Sequence, residues 1–172
     1  MQDIKALYPL APLADKLSHL TAFPVTALIA PLGYGKSTAL GMFLRRRGIP
    51  SLMLTAAALI ELSPAQIPNG TVVVVENYHA LAQDSAAEGA LGRLVAALDG
   101  RCPVVLLSRQ DAGMTKQTDL LLHGGLYRIE PESFQMQPDD LQAWSRLCGL
   151  ALTDAQLQQL AQWSEGWPVL AY

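Results

Sequence analysis

The chain has 172 residues, with twelve Lys and Arg against fifteen Asp and Glu, a net charge of −3, 51% apolar residues and 16% charged ones. A charged share well below the usual quarter, set against abundant Leu, Ala and Val, excludes a disordered chain and describes one domain with room for a small appendage. The mildly acidic balance argues against direct contact with nucleic-acid phosphates, which rests on Lys and Arg.

The opening stretch, MQDIKALYPLAPLADK, carries neither a basic n-region nor a sustained apolar core, so it does not read as an export signal. Val25 to Ile29 is a short apolar run rich in β-branched residues, the pattern of a parallel strand buried on both faces. Lys36 to Arg47 follows with Leu40, Phe43 and Leu44 on one helical face; Arg45, Arg46 and Arg47 suit the negative helix end, and Gly48 stops it. Ser51 to Leu54 is a weaker strand candidate, and Ile49 to Gly70 carries little else. Leu52 to Leu62 is the longest apolar-rich stretch and is too short to span a bilayer.

Thr71 to Val75 reads as a second buried strand. The Ser85 to Glu88 capping box then opens a helix with Leu91, Leu94, Val95 and Leu98 at helical spacing and Gly100 as terminator. Val104 to Leu107 is the third buried strand, and Leu126 to Ile129 is a further weak one. The alternation predicts an α/β fold with a parallel sheet of about five strands flanked by helices. From Pro138 the pattern is helical only. Pro138 begins one helix with Leu141, Trp144, Leu147 and Cys148 on its apolar stripe; the Thr153 to Gln156 capping box begins another, ending near Gly166. The division expected is 1–130 for the α/β domain and 131–172 for a small helical subdomain, with 131–137 as the hinge. Trp144 and Trp163 read as core or interface anchors of that subdomain. Cys102 and Cys148 are far apart and lack metal-ligand spacing, so reduced thiols in a soluble cytoplasmic protein are expected. The apolar surplus suggests a piece of a longer polypeptide, or a surface awaiting a partner.

The chemistry is concentrated in APLGYGKS, residues 30 to 37, a Walker A pattern with Ala30 in place of its first glycine. Glycines allow successive amides to turn inward onto phosphate oxygens, the following helix adds its positive end, Lys36 reaches the β- and γ-phosphates, and Ser37 ligates Mg²⁺. From average composition, such a pattern arises by accident in a chain this long with a probability on the order of one percent. Here it also lies between an apolar strand and an amphipathic helix. The candidate binding set is Gly33, Tyr34, Gly35, Lys36, Ser37 and Thr38. Glu76, at the end of the Val72 to Val75 run, is the Walker B candidate and second metal ligand. Asn77 stands where a second carboxylate would activate water, and an amide cannot take up that proton, so hydrolysis should be slow or absent. Arg109 ends the third strand, in VVLLSRQ, placed to face a γ-phosphate. His79 is expected to be an exposed or structurally bonded imidazole without a catalytic part.

In order, LIAPLGYGKSTAL, VVVVENYHAL, VVLLSRQD and SEGWPVLAY resemble the nucleotide-binding region of the MalT-like STAND ATPases, the large LuxR-type bacterial transcription regulators. The resemblance runs over nearly the whole chain. It implies an ASCE-type P-loop sheet followed by a helical lid, with ADP bound at rest and ATP in the assembling form. DNA contact would fall to a separate C-terminal helix-turn-helix, with the regulator's other domains, and possible self-association, as partners. It further implies that Gly33, Gly35, Lys36 and Ser37 hold phosphate and metal, that Glu76 is the first Walker B acid, that Arg109 is a sensor and that Pro168 packs near the adenine. Three departures stand out: Asn77 for the second acid, a short 49–70 segment, and only Lys16 as the N-terminal basic residue near the base. Two other functions remain open, an active ATPase or phosphotransferase and a degenerate P-loop scaffold that binds protein.

Overall fold

The computed structural model describes residues 10–81, 85–111 and 125–166. Helix α1 (Ala11–Ser18) leads into strand β1 (Val25–Ile29), followed by α2 (Lys36–Arg47), β2 (Ser51–Leu54), α3 (Ala56–Glu61) and β3 (Val72–Val75). A single turn α4 (Tyr78–Leu81), α5 (Ser85–Leu98), β4 (Val104–Ser108), β5 (Leu126–Ile129), α6 (Pro138–Leu147) and α7 (Asp154–Ser164) complete the described elements. The five strands form one sheet in the order β2-β3-β4-β1-β5, and every pairing is parallel.

The strands follow their composition. β1, β3 and β4 are buried at every position, while β2 and β5 lie at the edges and are buried at only one position each. Alternation along each strand divides the core in two. Val25, Ala27, Ile29, Val73, Val75, Val104 and Leu106 face Leu59 of α3 and Leu91, Leu94 and Leu98 of α5. Leu28, Val72, Val74, Val105, Leu107 and Ile129 face Leu13 and Leu17 of α1 and Leu40 and Leu44 of α2. The result is a sheet between two helical layers. Among the described residues, no helix is long and apolar enough to cross a membrane. Cys102 and Cys148 are both free thiols.

One expectation changes. The 49–70 segment contains α3 and a 3-10 turn at Pro64–Gln66 as well as its strand. Thr55 caps α3 by accepting from Ala58 N–H at 3.4 Å, and Leu59 enters the first core face. Six residues are too few to display a helical period, which is why AAALIE does not announce itself. The first part of the 131–137 segment is fastened to the core. Pro131–Phe134 is a 3-10 turn whose Phe134 is fully buried in the second core face, a contribution of about 2–3 kcal/mol, and Lys16 Nζ donates to Ser133 Oγ at 2.6 Å. Lys16 is thereby engaged in fastening α1 to this turn.

The last two helices form a third cluster around Met136, Leu141 and Trp144, joined by Leu157, Leu160 and Ala161. Trp163, by contrast, is 74% exposed and anchors nothing in the core. Asp140 caps α6 by accepting from Gln137 N–H at 2.9 Å. A reciprocal capping box links Thr153 and Gln156 at the start of α7. Beyond α7 the chain returns to the linker, where Met136 N–H donates to Gly166 O at 2.9 Å. Gly166 has φ +76, and a Cβ there would lie 3.1 Å from both Gln135 Cβ and Met136 O. Gly166→Ala should therefore destabilise the helical pair by about 2 kcal/mol, lowering Tm by roughly 5 °C. Thermal unfolding followed by circular dichroism checks this, and an unchanged Tm would refute the close approach.

Candidate functional site

The turn from β1 to α2 is made by Ala30 to Gly35. Gly33 and Gly35 take φ +84 and +71, the left-handed region that side chains resist, and Gly35 O then accepts Ala39 N–H at 2.8 Å to start the helix. Ala30 is fully buried and is not among the residues with positive φ, so its methyl group costs no backbone strain. Ala30 N–H donates to Ser108 O at 3.2 Å, which ties the first loop residue to β4.

Strand register brings the remaining residues to this turn. Ile29 is paired with Ser108 and Val75 with Leu106, so the next residues outward set Ala30 beside Arg109 and Glu76 beside Leu107. A cleft of about 390 Å³ opens there, lined by Gly33, Gly35, Lys36, Ser37 and Thr38 from the loop and α2, by Glu76 and Asn77 after β3, and by Arg109 after β4. Leu32, Leu107 and Ser108 complete the lining. Of the predicted site residues, Tyr34 is not part of it: its half-buried ring packs against the second core face. Pro168 lies outside the described residues.

The cleft is cationic at its centre. Lys36 Nζ donates to Pro31 O at 2.9 Å and also to Ala30 O. Burial, and then the Arg109 guanidinium, hold the Lys36 ammonium below the ordinary lysine range. Glu76 is half-buried and its N–H donates to Leu54 O at 3.1 Å, so β2 fixes its backbone. Asn77 sits at φ +53, a conformation that Asn tolerates better than most side chains, and its carbonyl accepts Ala80 N–H to start α4. Among the described residues, Glu76 is the only carboxylate lining the cleft. Ser37, with its hydroxyl, and Glu76, with its carboxylate, both line the cleft, and such oxygen donors suit Mg²⁺, whose other positions are usually filled by phosphate and water. Among the described residues, no group of three or more His, Cys, Asp or Glu offers an all-protein metal cage.

His79 is a structurally bonded imidazole, one of the two alternatives expected, and its partner is a residue that lines the cleft. Its Nδ1 accepts the Arg109 backbone N–H at 3.4 Å, and burial followed by the charges of Arg109 and Lys36 holds its imidazole below the usual value. The one sequence signal was the YH pair directly after the Walker B strand.

No family model and no curated protein matches the sequence. Solved structures do match the fold. The chain is similar to the Walker-type ATPase of Pyrococcus abyssi at 14% identity with a TM-score of 0.64, covering 96% of this chain and 66% of that one. It is similar to AMPPCP-bound DnaA from Aquifex aeolicus at 12% identity and TM-score 0.56, covering 85% and 54%. A replication initiator DnaA bound to AMPPCP and single-stranded DNA matches at 12% identity and TM-score 0.57, covering 87% and 53%. The chain thus spans between about half and two thirds of the length of these structures. Their shared architecture is that of the P-loop ATPases, and the five-stranded parallel sheet described above has that fold.

Proposed function

We propose that this chain is an ATP- and ADP-binding switch module with little or no hydrolysis, acting as part of a larger MalT-like, LuxR-type regulator. The observation that carries the reading is the convergence of the Gly33–Thr38 turn, Glu76 and Arg109 on one cleft, although they lie far apart in sequence. Two cations, Lys36 and Arg109, are near enough for one to depress the other's proton affinity, an arrangement that a polyphosphate would relieve. The AMPPCP bound to the two DnaA structures supports a nucleotide as the ligand. Ser37 and Glu76 would hold Mg²⁺, which neutralises phosphate charge when bound. Residues 1–130 would form the binding domain and 131–172 the lid, with Pro168 at the base. Arg109 would report the γ-phosphate, and a switch moves only by such a difference in affinity between its states.

A scaffold that binds no nucleotide is favoured by one specific observation, that the Lys36 ammonium is already satisfied by the carbonyls of Ala30 and Pro31. Calorimetry separates the two. Under the switch reading, Lys36→Ala weakens MgATP binding about 100-fold, the ~2–3 kcal/mol of a hydrogen-bonded charge. Undetectable binding in both proteins would establish the scaffold instead.

Slow turnover would follow from Glu76 being the single carboxylate that lines the cleft among the described residues. Asn77→Asp places an acid where water would be activated, in a left-handed conformation that Asp tolerates, and should raise phosphate release by about 100-fold. Equal rates in the two proteins would show that hydrolysis is limited elsewhere. The charge pair has its own test. Because the native pKa of Lys36 lies below 10.5, the unfolded chain binds more protons in that alkaline window, and stability rises with pH across it. Arg109→Ala removes one cause, so the Lys36 titration should move upward and the window narrow. Carbon-detected NMR of the lysine side chain reads the shift, and an unmoved midpoint would separate the two charges.

A further inference from the structure

Two chain ends leave the sheet side by side at this cleft. β3 runs into Glu76, Asn77 and α4, and its neighbour β4 runs into Arg109. Beyond Ser108 the β1–β4 ladder is finished, and Arg109 is exposed. Its backbone N–H is nonetheless engaged, donating at 3.4 Å to His79 Nδ1, thirty residues earlier in the chain. The imidazole therefore spans from the turn after the acidic strand to the residue carrying the cleft's exposed guanidinium.

That bond requires an unprotonated Nδ1. Burial, together with the positive charges of Arg109 at the end of β4 and Lys36 at the start of α2, holds His79 below its usual pKa, so the acceptor is present at neutral pH. A neutral ring with its proton on Nε2 also avoids adding a third cation beside Lys36 and Arg109. Ser108 braces the same stretch from the other side, its buried hydroxyl donating to Gln110 O at 2.6 Å. The Arg109 backbone is thus held by its own N–H and by the bond that bridges its two neighbours, while the residue is exposed and lines the cleft.

We propose that His79 is a positioning residue for nucleotide discrimination: through Nδ1 it holds the Arg109 backbone so that the guanidinium favours a nucleoside triphosphate over a diphosphate. The inference rests on the nucleotide-switch reading above and assigns no chemistry to the imidazole itself. It also predicts a direction of coupling, since any shift in the turn carrying Glu76 and Asn77 is passed to Arg109 through this ring.

The test is calorimetry with MgATP and MgADP on the wild-type chain, His79→Phe, His79→Asn and Arg109→Ala. In His79→Phe the ATP-to-ADP affinity ratio should fall about five- to tenfold, the scale of one hydrogen bond, while MgADP affinity stays nearly constant. His79→Asn, whose amide oxygen can accept the same N–H, should restore most of the ratio. Adding His79→Phe to Arg109→Ala should change the ratio no further. A wild-type ratio in His79→Phe would overturn the proposal, as would an Asn variant no better than Phe. Nitrogen NMR of the wild-type chain needs no variant to fold: the His79 Nδ1 resonance should be that of an unprotonated acceptor at neutral pH, and a protonated Nδ1 would overturn the proposal. Loss of binding to both nucleotides in the wild type would instead remove the switch reading on which it stands.

Discussion

Between Ile29 and Lys36 the chain has only Ala30 to Gly35 in which to leave a buried strand and begin a helix. That reversal is possible because Gly33 and Gly35 occupy the left-handed region, and it is anchored because β1 is held between β4 and β5. A loop on an edge strand would have one fixed side; this one has two. Ala30 N–H bonded to Ser108 and the Lys36 ammonium bonded to Ala30 and Pro31 keep the turn closed on itself. The rest of the cleft is arranged around this small, stiff piece of backbone.

Strand order then sets the spacing. With β4 between β1 and β3, the loop and Glu76 are two strand intervals apart, roughly 10 Å. Ser37, carried on α2 beyond the loop, and Glu76, just past β3, both line the cleft formed over this interval. The strand in between leads into Arg109, which lines the same cleft as Ser37 and Glu76. The topology is thus part of the site's chemistry.

The central strands were legible because β1, β3 and β4 are covered on both faces and so read as unbroken apolar runs. β2 and β5 carry Ser51, Tyr127 and Arg128 because an edge strand is covered incompletely, and their sequence signal weakens for the same reason. The convergence of the Gly33–Thr38 turn, Glu76 and Arg109 was legible from residue type and from position at strand ends. What escaped was long-range or too short. Helix α3 has no full period, Phe134 is a lone aromatic whose burial depends on where β5 delivers it, and the His79 bond joins residues thirty apart. Tyr34 shows the converse, since its place in the motif does not determine which way its ring turns.

In the proposed switch, the helical pair must change orientation at an energy that a phosphate group can supply. The third cluster is largely self-contained, with Met136, Leu141 and Trp144 packed against residues of α6 and α7, and the Met136–Gly166 bond also lies within the pair. Among the described residues, Leu10 is the side chain shared by the second and third clusters. Uncovering one leucine costs about 1.5–3 kcal/mol, the same scale as the coupling energies that link ligand sites to conformational change. Phe134 and the Lys16–Ser133 bond meanwhile fix the near end of the linker to the core. Motion would therefore be confined to the few residues between Phe134 and Pro138, where a small backbone rotation carries α6 and α7 together as a unit.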